Sequence, residues 1–214
     1  DNPRFVGHVG WRQDRQTFDA LSLAFKPVEN LNLNYNFIDE RKRIFSEEAD
    51  KDSKDHILHA DYTSPIGTIV GYAYLLEEDN NTNNSIDTYG LRFTGSTELG
   101  DKEASYLLEY ATQESETGQA KFDADYLLLE GSLTLNSINA KIGYEVLGSD
   151  NGVYGFSTPL STLHAHNGWA DLFLWTPAQG LVDTYLNLSG KAGNINWSLI
   201  YHDYNADDST STVD

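Results

Sequence analysis

The chain has 214 residues, with 14 Lys and Arg against 33 Asp and Glu, so its formal net charge is −19. Such a charge excludes a nucleic-acid-binding surface, which needs clustered Lys and Arg to displace counterions. The sequence contains no Cys, which excludes disulfides, thiolate metal sites and a cysteine nucleophile. A hydrophobic share of 39% with 12% aromatics predicts a folded chain.

No apolar run approaches the roughly 18 to 20 residues that a membrane helix needs. Helical periodicity is scarce, whereas alternation of apolar and polar residues recurs along nearly the whole chain, as from Leu31 to Phe37 and from Ile195 to Tyr201. This pattern predicts an all-β fold. Ten strands are predicted in chain order, at 17–26, 31–39, 56–63, 68–77, 86–96, 102–113, 122–135, 138–147, 180–191 and 194–204.

The predicted connections alternate between short and long. The short ones lie at 27–30, 64–67, 97–101, 136–137 and 193–194, and the long, polar ones lie at 40–55, 78–85, 114–121 and 148–179. Bacterial outer-membrane barrels have tight periplasmic turns and long extracellular loops. The alternation therefore predicts an antiparallel up-and-down transmembrane β-barrel, with residues 17–204 as its strands.

Sorting each strand by parity predicts two faces. The lipid-facing set carries no charge, and it includes Leu21, Leu23, Phe25, Leu58, Ala60, Tyr62, Val70, Tyr72, Tyr74, Leu76, Tyr89, Leu91, Phe93, Tyr106, Leu108, Tyr110, Leu127, Leu129, Ile142, Tyr144, Leu186, Leu188 and Ile195 to Tyr201. The predicted pore-lining set is Lys26, His59, Asp61, Arg92, Glu109, Glu130, Lys141, Glu145, Asp183, Tyr185 and Lys191. A soluble barrel or sandwich with an apolar core gives the same alternation and stays an alternative.

Two stretches carry a family resemblance: Arg4 to Gln13 running into Thr17 to Ala20, and Tyr144 to Phe156 continuing through Gly168 to Asp171 and Thr176-Pro177. They resemble the alginate export family of bacterial outer-membrane porins. A family member is about twice this length, so the resemblance implies an internal segment of a larger barrel. It also implies transport of an anionic polyuronate. The predicted lumen mixes both signs and the loops are acidic, which favours cations or neutral solutes instead.

The 148–179 connection is far longer than a turn requires, and loops of this length are usually functional or disordered. Its aromatics, Tyr154, Phe156, Trp169, Phe173 and Trp175, predict an ordered loop that folds into the lumen and constricts it. Trp169 or Trp175 is a candidate for stacking on sugar rings. A cap over the barrel mouth is the alternative.

Candidate metal and catalytic groups are weak. Asp79, Asn81, Asn83 and Asp87 have part of a calcium-loop spacing, but Asn84 stands where the loop requires Gly and no bidentate Glu follows. His164 and His166 lack a nearby third ligand. No Gly-x-Ser-x-Gly elbow is present, and the inward Glu130 and Glu145 suit a pore lining better than paired acid catalysis. We expect no enzyme, no cofactor and no metal.

These observations predict a single barrel segment over 1–214, with residues 1–16 as an extracellular entrance and 205–214 as an extracellular end. The expected function is a porin of the Gram-negative outer membrane. It would pass small polar solutes or saccharides, with polysaccharide export as a further option. The alternative is a secreted or periplasmic binding module for a sugar or another small ligand. Expected partners are outer-membrane lipid, lipopolysaccharide and the solute.

Overall fold

A computed structural model describes residues 2–80, 82, 84–100 and 102–210. Ten strands form one antiparallel sheet in which each strand pairs with its neighbours in chain order. They are β1 (Thr17–Val28), β2 (Leu31–Lys42), β3 (Lys51–Ser64), β4 (Gly67–Glu77), β5 (Asn84–Leu99), β6 (Lys102–Thr117), β7 (Ala120–Leu135), β8 (Ile138–Leu147), β11 (Leu181–Ala192) and β12 (Ile195–Asn205). The short strands β9 (Ser149–Asp150) and β10 (Tyr154–Gly155) pair with each other between β8 and β11. None of the helical turns in the described residues is long and apolar enough to cross a membrane.

The predicted number and order of strands are confirmed, but several strands are longer than predicted. β3 begins at Lys51 rather than at residue 56, and the β6 and β7 ladder continues to the pair Thr117 and Ala120. The predicted long connection at 114–121 is therefore wrong, because only Gly118 and Gln119 join these strands. Apolar alternation fades at these polar ends, while the main-chain hydrogen bonds of the ladder continue without it.

The register of the ladders defines two faces, since residues paired across antiparallel strands point to the same side. Leu33 pairs with Ala60, and Leu91 pairs with Tyr110. These residues belong to an apolar face that we call the outer face, and it carries exposed Leu, Ile, Phe and Tyr side chains along the sheet. The opposite face, which we call the inner face, carries the buried polar and charged groups.

One strand departs from the predicted faces. Tyr72 pairs with His59 and Tyr74 pairs with Ile57, so Val70, Tyr72, Tyr74 and Leu76 lie on the inner face and not toward lipid. Both faces of β4 are largely apolar, from Ile69 to Leu76, so its alternation carries no information on orientation. Ladder register with β3 and β5 sets the orientation.

Two segments outside the ten-stranded sheet cover part of the inner face: residues 2–16, and residues 148–180, which we call the long loop. Phe5 is 5% exposed, and its ring centroid lies 5.3 Å from Tyr72, 5.3 Å from Tyr126 and 6.0 Å from Phe156. The main core of the described chain therefore lies between the sheet and these two segments.

Candidate solute pathway on the inner face

A cavity of about 430 Å³ lies between the inner face and the two covering segments. Strands β5 to β8, β11 and β12 form its wall, and residues 2–4 and 165–169 close it from the other side. We call it the inner cavity. Its charged and hydrogen-bonding lining includes Arg4, Arg92, Glu130, Lys141, Glu145, His166, Asn167, Asp183, Tyr185 and His202.

The ladders place ten of the eleven predicted pore-lining residues on the inner face. Six of them border the inner cavity: Arg92, Glu130, Lys141, Glu145, Asp183 and Tyr185. His59, Asp61 and Glu109 lie on the same face beside it, and Lys191 is exposed near the tight-turn end of β11. Lys26 lies at an irregularity between Phe25 and Val28, where no ladder partner fixes its side.

Two carboxylates of the wall are compensated within the sheet. The Glu109 carboxylate accepts hydrogen bonds from the Arg92 guanidinium at 2.6 Å and from the Tyr72 hydroxyl at 2.9 Å. The Glu130 carboxylate accepts from Lys141 Nζ at 3.1 Å and from the Tyr185 hydroxyl at 2.5 Å. These partners offset the cost of removing a charge from water.

Glu145 and Asp183 are direct cross-strand partners on β8 and β11, and we call them the acid pair. Arg4 Nε lies 2.9 Å from Glu145 Oε1, and the Asn167 amide donates to Glu145 Oε2 at 2.8 Å and to Asp183 Oδ2 at 3.1 Å. The Tyr126 hydroxyl donates to Glu145 Oε1 at 2.7 Å. Both covering segments therefore contribute a side chain to this site.

His202 completes the contacts of the acid pair from β12, with Nδ1 2.9 Å from Asp183 Oδ1. Arg4, Asn167 and Tyr126 also line the inner cavity, although the sequence did not predict them there. Arg4 and Asn167 are 163 positions apart, and their hydrogen bond of 2.8 Å depends on the packing of two loops. The inner parity of Tyr126 on β7 was the one signal that could have indicated its position.

The predicted constriction residues divide into two groups. Phe156 is fully buried against Phe5 and Tyr126, and Tyr154 stacks on Phe122 with ring centroids 5.3 Å apart. Phe173 packs on Tyr204 at 4.8 Å. Trp169 and Trp175 are exposed. Trp169 borders the inner cavity, and Trp175 borders a smaller pocket of about 90 Å³.

The weak calcium candidate is only partly within the described chain, because Asn81 and Asn83 lie outside the described residues. Asp79 pairs with Lys54 Nζ at 2.9 Å. In the described part of the chain, no three His, Asp or Glu side chains are grouped to hold a metal ion. His164 Nδ1 lies 2.7 Å from Asp171 Oδ1, and its ring packs on Trp11. These contacts give His164 a structural role within the loop.

His166 provides a pH-dependent contact between the two covering segments. Burial, together with the nearby Arg4 guanidinium, lowers the pKa of His166 from its ordinary value of 6.5 to about 4, against the opposing effect of Glu145. Between pH 6.5 and about 4, His166 is more protonated in the released loop than in the packed loop. The packing therefore weakens as pH falls through this window.

We expect amide exchange in residues 2–16, corrected for its intrinsic pH dependence, to accelerate by up to about tenfold per pH unit as pH falls from 6.5 toward 4. The His166→Gln variant cannot take up this proton and is the control. An equally steep acceleration in that variant would contradict the assignment to His166.

The architecture defines a class. An up-and-down antiparallel sheet with an apolar exposed face and a polar, charged face is the architecture of an outer-membrane porin barrel. This fold supports a porin-type barrel and does not single out the alginate export family.

Comparison with solved structures gives three Pseudomonas aeruginosa porins. The crystal structure of OccD3 (OpdP) matches with a TM-score of 0.67 and 14% identity, over 89% of this chain and 48% of that protein. OpdL matches at 0.57 with 16% identity, over 90% of this chain and 61% of that one. OccK11 (OpdR) matches at 0.58 with 14% identity, over 98% and 70% respectively.

The chain thus spans about half the length of OccD3. No family model matches the sequence, and no curated protein matches it. At these identities the likeness concerns the fold, and the fold is the porin barrel.

Proposed function

We propose that this chain is part of an outer-membrane porin that gives small polar solutes or saccharides a passive path along the inner face. The observation that carries the proposal is the inner cavity of about 430 Å³, walled by charged strand residues beneath an apolar outer face. Solute passage in such barrels depends on the size and charge of the lining. No covalent step and no cofactor are needed for this function.

The outer face favours the porin over the soluble binding module. Its large apolar side chains are open along the sheet, with Leu21 60% exposed, Leu91 62% and Leu199 66%. A monomeric soluble protein rarely exposes a contiguous apolar surface of this kind, whereas lipid covers it in a membrane. This supports localisation in the outer membrane.

The chain as a barrel segment over 1–214 is part of the same proposal. No ladder joins β1 to β12 in the described sheet, so each has an edge free for pairing. Free edges of long strands are sites of further pairing, and additional strands of a longer protein would close the barrel. Residues 206–210 would then continue outside the membrane, at the end of the sheet that carries the long loop, and residues 211–214 of the predicted extracellular end lie outside the described residues.

The class of solute is a separate part of the proposal. The resemblance to the alginate export family, carried by the two quoted stretches, supports polysaccharide export. Most cations near the cavity are already paired with acids, as Arg92 is with Glu109 and Lys141 with Glu130, which supports neutral or cationic solutes. The basic run Arg41 to Arg43 is the part of the sequence that could bind lipopolysaccharide phosphates. Arg41 is buried against Asp55 and Lys42 pairs with Asp19, so this contact would rest mainly on Arg43.

We expect the complete protein that contains this chain to form stepwise channels in a planar bilayer. Under a salt gradient, the reversal potential should show a preference for cations over anions. The excess of acidic groups in and above the pathway is the physical reason. Anion preference would support the polyuronate solute. Absence of conductance, with the protein monodisperse in plain buffer, would contradict the porin and favour the soluble module.

A further inference from the structure

The long loop and the 2–16 segment form one folded unit. The Gly7 amide donates to the Leu160 carbonyl at 2.8 Å, and the Thr162 amide donates to the Pro3 carbonyl at 2.9 Å. Gln16 Nε2 donates to the Gly7 and Leu160 carbonyls, at 2.9 Å each. A Cβ atom at Gly7 would lie 2.0 Å from Thr162 Oγ1, so this close approach requires glycine.

Arg4 is the charged contact between this unit and the wall. Its side chain is 5% exposed, and it lies between Glu145, whose side chain is 7% exposed, and Asn167. In the described ranges, Arg4 is the Lys or Arg side chain that pairs with the acid pair, and His202 contacts Asp183. Without Arg4, Glu145 would keep two neutral hydrogen-bond donors but no cation, beside a second carboxylate.

Two consequences follow for a conduit at this place. A buried carboxylate without its cation is costly, so loss of Arg4 favours an arrangement in which water reaches the acid pair and the covering unit moves away. The Glu145 carboxylate without its cation also attracts cations into this part of the inner cavity. Arg4 therefore acts on the width of the pathway and on its charge.

We propose that Arg4, held in the inner cavity by the 2–16 segment, fastens the covering unit to the acid pair and sets the ion selectivity of the conduit. This inference rests on the proposed channel function. It adds a positioning and selectivity residue from outside the strands, and it makes the 2–16 segment a second constricting element beside the long loop.

The first test compares Arg4→Gln with Arg15→Gln in the complete protein, in planar bilayers. Arg15 lies in the same segment and is exposed, so its variant removes an equal charge without touching the acid pair. We expect Arg4→Gln to raise single-channel conductance about twofold or more and to shift the reversal potential toward cations, with Arg15→Gln close to wild type.

A disulfide separates the two roles and keeps the variant folded. Val6 and Leu160 are bridge partners, and the chain has no other cysteine, so a V6C/L160C pair can tether the segment to the long loop. In the oxidised tethered protein, Arg4→Gln should shift the reversal potential while conductance stays near that of the tethered Arg4 protein. Reduction should then raise conductance.

The outcomes distinguish the two proposals. Absence of channels in the wild-type protein would overturn the porin function itself. Wild-type channels together with an Arg4→Gln variant of unchanged conductance and reversal potential, free or tethered, would overturn the role of Arg4 alone.

Discussion

Replacing residues 151–176 by a short Gly-Ser linker in the complete protein is expected to raise single-channel conductance about threefold or more, because conductance through a pore follows the width of its narrowest part. The long loop contributes residues 165–169 to the border of the inner cavity, and Phe156 holds it against Tyr126. Its removal leaves the wall of charged strand residues open along this stretch.

The control is a Gly-Ser replacement of residues 45–49, in the connection between β2 and β3. None of these residues borders the inner cavity, so we expect conductance near wild type. Unchanged conductance after removal of the long loop would show that it lies over the mouth as a cap and does not constrict the path.

The loop replacement and the Arg4 substitution should not be additive. Arg4 binds Asn167 of the long loop at 2.8 Å, and the linker removes this partner. Mutations within one network share their effect. We therefore expect Arg4→Gln to add little conductance to the loop-replaced protein, and to shift its reversal potential less than in the intact protein, because the loop no longer holds Arg4 against Glu145. A full second increase in conductance would show that Arg4 and the loop act separately.

The second large effect concerns stability. Arg41 and Asp55 form a buried ion pair at the end of β2 and β3 that lies on the same side of the sheet as the long loop. Their side chains are 4% and 0% exposed, and the Nη2 to Oδ1 distance is 2.6 Å. Arg41→Met leaves the Asp55 carboxylate buried without its cation, which is expected to cost about 3–5 kcal/mol in the free energy of unfolding. Urea unfolding of the refolded protein in lipid vesicles measures this cost.

Lys54→Met is the matched control, because Lys54 pairs with Asp79 at 2.9 Å while half exposed, and water screens exposed pairs of this kind so that they contribute little to stability. The double variant Arg41→Met/Asp55→Leu should recover part of the stability. Recovery stays incomplete since Asp55 Oδ1 also accepts from the Glu77 amide at 3.0 Å. Equal effects of Arg41→Met and Lys54→Met would contradict this account.

The Arg41 pair also shows how local sequence misleads. Arg41, Lys42 and Arg43 look like an exposed basic cluster in an acidic loop. The ladder extends β2 to Lys42 and β3 back to Lys51, so that Arg41 and Asp55 meet on the covered inner face. Burial of a side chain at a strand end depends on what covers that end, and the strand pattern does not contain this information.

The sequence by itself determined the strand number, their order, the tight turns at one end and the faces of most strands. These features are local: a ladder needs only adjacent segments, and one residue of slip would turn every apolar side chain to the wrong face. Leu31 to Phe37 can satisfy one register only, and the short turns Asn136-Ser137 and Gly193-Asn194 join neighbouring strands directly.

Only the tertiary structure decided the orientation of β4, where both faces are apolar, and the composition of the pathway. Ladder register with β3 and β5 turns Tyr72 and Tyr74 inward, where Phe5 packs on both rings. Arg4 reaches Glu145 because hydrogen bonds between 2–16 and the long loop hold it there. Contacts between segments far apart in the chain have no periodic pattern, since they depend on which segments meet after the sheet has formed.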